Sequence, residues 1–124
     1  MNLQFFNWRN NAMSSRIEIY VPTVDGDGQV LPLEISYRWR DHVAYTLTEW
    51  FGGCTCLQAM GYYRNSKANI VMEQVEILYS YTSDKLATEH ADSIRELAKR
   101  ICVGLRQECV LIVNNGTVEF VNKE

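Results

Sequence analysis

The chain is poor in the residues that most chemistry starts from. It has only two histidines, His42 and His90. Both fall on expected helices, and Asp41 directly precedes His42. Adjacent residues diverge by about 100° around a helix, so these two cannot pair as a base and its orienter. No H-x-T or H-x-S pair is present. Neither G-x-x-x-x-G-K-[ST] nor G-x-G-x-x-G occurs, which removes both common phosphate loops and leaves no cofactor motif. No apolar run approaches the roughly 20 residues of a membrane span. No stretch has the layout of a signal peptide, so the expected compartment is the cytoplasm. A formal charge of -3 gives no basic footprint for duplex nucleic acid. The four cysteines lack a secretory context and are expected as reduced thiols.

The 124 residues suit one compact domain. Residues 1–12 have no clear period and carry Phe5, Phe6 and Trp8. They read as an extension, either a free end or an arm docking on a neighbouring subunit, ahead of an α+β domain over 13–124. "RIEIYV" (16–21) alternates as a half-buried strand with Ile17, Ile19 and Val21 on one side. "DGDG" (25–28) lacks the third acidic position and distal glutamate of a calcium loop, so a turn is expected. Trp39, Val43, Ala44, Leu47, Trp50 and Phe51 share one face of a helix that Ser36 can cap and Gly52-Gly53 ends.

Strands are expected over 54–63 and 70–81, the second placing Val71, Val75, Ile77, Tyr79 and Tyr81 on one face. "TSD" (82–84) caps a second helix, whose apolar stripe runs unbroken from Leu86 to Leu105. "ECVLIV" and "TVEFV" flank Asn115-Gly116, a strong hairpin signal. The order β-α-β-β-α-β-β predicts a mostly antiparallel sheet with both helices on one face and a ferredoxin-like layout.

The remaining chemistry is thin. Cys54 and Cys56 project from one side of a strand, but zinc needs four ligands and neither Cys102 nor Cys109 supplies a second close pair. No metal is expected. Glu73 and Glu76 fall on opposite strand faces, which excludes a carboxylate pair from that segment. Tyr62, Tyr63, Tyr79 and Tyr81 offer faces for a base to stack on, and Arg64 and Lys67 flank the next loop.

"FGGCTCLQAMGYYR", "VEILYSY" and "LRQECVLIVNNGTVEF" together carry a family pattern. The pattern is F-G-G-x-T after the first helix, G-x-[WY] at the next strand's end, an S-[YF] step and Q-E-x-[VA]. Over about residues 16–121 the chain resembles the Thoeris anti-defence family of phage nucleotide sponges. The resemblance implies a non-enzymatic phage protein that binds a cyclic ADP-ribose isomer, with cyclic oligonucleotides as a further ligand class. It also implies a homo-oligomer with pockets between subunits. Carried over by motif, Gly61, Tyr63, Arg64, Tyr81, Gln107 and Glu108 fall in the binding region, with Arg106 beside them. Tyr63 stands where tryptophan is common. Two other classes stay open: a small-molecule-processing enzyme, and an interaction module that pairs through a sheet edge.

Overall fold

The computed structural model describes residues 13–64 and 67–123. The extension over 1–12 lies outside the described residues. Eight elements follow in order: β1 (Ser15–Pro22), α1 (Leu33–Phe51), β2 (Thr55–Arg64), β3 (Ile70–Thr82), α2 (Asp84–Glu89), α3 (Ala91–Gly104), β4 (Cys109–Asn114) and β5 (Thr117–Asn122). The strands form one sheet in the order β2-β3-β1-β4-β5, and every pairing is antiparallel. The first four strands have the ferredoxin-like order, and β5 extends the β4 edge.

β1 is central because its alternation suits it to be covered. Ile17, Ile19 and Val21 are fully buried beneath the helices. Packed on them are Val43, Leu47 and Phe51 of α1 and Ile94, Leu97 and Ile101 of α3. α1 lies on β3 and β1, and α3 lies on β4 and β5. Among the described residues, no helix packs on the opposite face of the sheet. β2 reaches past α1, so most of its side chains are exposed on both faces.

Local signals fix the boundaries. Gly52 takes φ 89° and its N–H bonds to the Thr48 carbonyl, closing α1 as the glycine pair predicts. Asn115 and Gly116 both have positive φ, 52° and 85°, the conformation a two-residue hairpin requires. Ser83 caps α2 by accepting from the Leu86 N–H. The DGDG segment is a turn: the Asp25 carboxylate accepts from the backbone N–H groups of Asp27 and Gln29.

Two expectations need correction. Ser36 does not cap α1; the helix starts a turn earlier, after Pro32. The Pro32 carbonyl takes the N–H groups of Ile35 and Ser36, and buried Ser36 bonds the Leu33 carbonyl. The second helix is also not one rod. It breaks at His90, which has φ -98° and ψ 4°. The His90 ring stacks on Trp50 at 5.1 Å and meets Phe51 edge-on at 5.3 Å. His90 is thus a half-buried corner residue. The apolar stripe continues through the corner, so periodicity alone cannot show it.

Candidate functional site

The uncovered face is set by strand register. Arg16 faces Tyr81, Glu18 faces Tyr79 and Tyr20 faces Ile77. Across β2–β3, Leu57 faces Ile77, Gly61 faces Glu73 and Tyr63 faces Val71. On the far side Leu111 faces Phe120 and Val113 faces Val118. The face is therefore apolar and aromatic, and Arg16, Glu18 and Glu73 are the charged residues the strands place on it. Leu57, Val118 and Phe120 are 52%, 57% and 67% exposed.

One polar place lies near the tip of the β2–β3 pair. Gly61 has no side chain to set against Glu73, which leaves a notch with Tyr63 one step along the same face. Burial pushes the Glu73 carboxyl above the usual carboxylate range. Burial, and then the Glu73 charge, push the Tyr63 phenol up as well. Two neighbouring groups whose ionisation is resisted on an open face make an acid–base candidate.

A second polar place lies at the other end of β3. The Arg16 guanidinium sits 3.9 Å from the Tyr79 ring centre and 5.5 Å from that of Tyr81. It donates to the Tyr81 hydroxyl at 3.0 Å and to Glu18 at 3.3 Å. Tyr81 lies eight residue steps along β3 from Glu73, about 26 Å at strand rise.

The third place is a cleft of about 330 Å3 where the 24–30 turn meets the end of α3. Gly26, Asp27, Arg106, Gln107, Glu108 and Lys123 contribute to its walls. Arg106 pairs with Asp27 at 3.3 Å, and the Gln107 amide donates to the Val24 carbonyl.

Within one chain, then, the residues carried over by motif and the adjacent Arg106 do not converge. Arg106, Gln107 and Glu108 share the cleft. Tyr63 belongs to the Glu73 notch. Tyr81 stands at the opposite end of β3. Arg64 leaves the uncovered face and donates to the Ala68 carbonyl at 2.8 Å. Sequence reasoning missed Arg16, Glu18 and Glu73 as site residues. Arg16 and Glu18 share the side of β1 opposite Ile17 and Ile19, a signal that was available. Glu73 and Glu76 do occupy opposite faces.

Glu76 has a different environment. It is 3% exposed on the helix side and accepts from the Cys56 thiol and the Gln58 amide at 3.3 and 3.2 Å. Burial and the Glu76 carboxylate push the Cys56 thiol up to about 11, so it stays protonated and a poor nucleophile at neutral pH. Among the described residues, no group of three or more His, Cys, Asp or Glu side chains could hold a metal ion.

No protein-family profile matches the chain, and no curated protein sequence matches it. Solved structures do. A phage SAM lyase in complex with S-methyl-5'-thioadenosine is similar at TM-score 0.63 and 18% identity, over 87% of this chain and 88% of that one. The phage SAM lyase in its apo state is similar at 0.60 and 17%, over 90% of each chain. CutA1 from Pyrococcus horikoshii OT3 is similar at 0.54 and 13%, over 81% of this chain and 79% of that one. At these identities the likeness establishes the fold. It also corrects the expectation of a non-enzymatic chain, because a phage enzyme is built on this same scaffold.

Proposed function

We propose that the chain is a phage-type anti-defence protein that binds an adenosine-containing small molecule on the uncovered face of its sheet and acts on it at Glu73. One observation carries the reading: Glu73 is a carboxyl of raised pKa, opposite Gly61 and beside Tyr63, on an otherwise apolar face. The ligand class follows from the S-methyl-5'-thioadenosine held by the similar phage SAM lyase. A sulfonium such as that of S-adenosylmethionine suits this place. It is a fixed cation, so it offsets the penalty that burial sets on the Glu73 carboxylate, and a tyrosine ring face attracts it. The same face is where copies of this chain meet, since Leu57, Val118 and Phe120 leave it apolar and open.

A second reading keeps a cyclic ADP-ribose isomer as the ligand. It is favoured by the cleft that gathers Arg106, Gln107, Glu108 and Lys123, with cationic groups for two phosphates.

One experiment separates the two. The purified chain is incubated with S-adenosylmethionine or with a cyclic ADP-ribose isomer, denatured, and the released compounds are identified by mass spectrometry. Conversion of S-adenosylmethionine by the native chain but not by Glu73→Gln supports the first reading. S-adenosylmethionine left neither bound nor converted overturns it. Recovery of the ADP-ribose compound, lost in Arg106→Ala, supports the second.

A further inference from the structure

We propose that Arg16 and Glu18, laid on Tyr79 and Tyr81, form a recognition site for the zwitterionic head of an α-amino acid. The guanidinium is held from three directions: stacked on Tyr79, bonded to the Tyr81 hydroxyl, and bonded to Glu18. Those bonds use two of its five N–H donors. The rest can take a carboxylate in the forked geometry that arginine favours. Glu18 has a second carboxylate oxygen, which can accept from an ammonium group.

The separation fits the ligand. An amino acid carries its ammonium and carboxylate on one carbon, and the Arg16–Glu18 contact is 3.3 Å. Both ends of the zwitterion therefore reach their counter-charges together. Its side chain then lies over Tyr20 and Ile77, the next row of the same face.

The pair is not required by the fold. Its side chains are 39% and 18% exposed, and ion pairs of this kind add little to stability. What the stack on Tyr79 supplies is a guanidinium already fixed in one orientation, so little freedom is lost on binding.

Only the choice of probe rests on the function proposed above. L-methionine is titrated into the folded chain and followed by ligand-observed and protein-observed NMR. It should bind in the millimolar range, with shifts at Arg16, Tyr79 and Tyr81. Methioninamide, which lacks the carboxylate, and desamino-methionine, which lacks the ammonium, should each bind at least fivefold more weakly. Arg16→Lys keeps the charge but loses the planar fork, and Glu18→Gln keeps the shape. Each should weaken methionine at least fivefold while leaving S-methyl-5'-thioadenosine, which has no amino-acid head, unchanged. The site is overturned by no methionine binding up to about 10 mM, a concentration that reports even weak millimolar affinities. It is overturned equally if the three compounds bind alike, or if both variants bind methionine like the native chain. Failure of S-methyl-5'-thioadenosine to bind would instead overturn the function above and leave the methionine result standing.

Discussion

Gly61 stands directly across from Glu73 in the β2–β3 pairing, so the carboxyl faces a position that has no side chain. A Cβ added at Gly61 would meet the Glu73 carbonyl oxygen at 3.7 Å, an ordinary contact. The space therefore tolerates a side chain, and the fold does not need glycine there. Gly61→Val should keep the fold, because a branched residue suits a strand. It should also fill the notch and weaken a ligand seated there at least tenfold, or about 1.4 kcal/mol. Circular dichroism with calorimetry on the folded variant checks both. A ligand that binds Gly61→Val as it binds the native chain would move the site elsewhere.

Glu73 should cost stability where it serves function. Its folded pKa is raised by burial, so its favourable contribution is fully present below the unfolded value of about 4.3 and is lost as pH rises through the folded value. At neutral pH the ionised carboxylate is therefore a burden on the fold. Glu73→Gln should melt higher than the native chain at pH 7 and show no such advantage near pH 3, while losing activity. Melting curves at both pH values, beside an activity assay, decide it. Binding of a cationic ligand to the native chain should weaken as pH falls, and that slope should vanish in the variant.

Asp84 has the opposite sign. Bonds from Ser15 and Ser14 hold its carboxyl below the usual range. Its contribution is present above the unfolded pKa of about 3.9 and is lost as pH falls through the folded value. Asp84→Asn should lower the melting temperature at pH 7, and the difference should close in strong acid. A difference that persists there would assign the effect to packing at the β1–α2 junction rather than to charge.

How much of this could be read from the chain follows from which forces are local. The Gly52 cap, the Asn115-Gly116 turn and the Ser83 cap are each set by a few neighbouring residues, and all appear where the sequence places them. The alternation of β1 reports its buried side correctly because the helix layer covers that side. β3 shows the limit. Val71, Val75, Ile77, Tyr79 and Tyr81 do share a face, but the helices cover the other one, where Glu76, Ser80 and Thr82 are buried. Periodicity gives two faces and does not say which one a helix will cover. Glu73 stayed hidden for a related reason: its raised pKa comes from burial on the sheet, and no motif marks it. The corner at His90 depends on Trp50 and Phe51, about forty residues away along the chain.

Self-association should depend on the uncovered face. Light scattering at micromolar concentration should give at least a dimer. Phe120→Glu, which sets a charge on the exposed apolar surface, should shift the population toward monomer without unfolding it. A monomeric native chain, with and without ligand, would remove this face as a contact.

Gly26 should tolerate no side chain. A Cβ there would fall on the Arg106 carbonyl oxygen, and that backbone is already constrained by the positive φ of Arg106, 54°. Gly26→Ala should lift the 24–30 turn from the end of α3 at a cost of about 1–3 kcal/mol. Denaturant titration should show a lower midpoint with an unchanged slope. Hydrogen exchange should quicken at Leu31, whose N–H bonds the Thr23 carbonyl within that turn. An unchanged midpoint would mean the turn has room the structure does not show.

β2 also has an outer edge that none of the described strands covers. Along Thr55–Arg64 the first charged side chain is Arg64 itself, whereas strands left at a sheet edge are commonly guarded by charge, proline or a bulge. Leu57, Met60 and Tyr62 stand exposed beside a ladder of backbone donors and acceptors available to another strand. Solubility is therefore tied to this edge: precipitation on concentrating the folded chain would reflect the β2 ladder rather than a failure to fold.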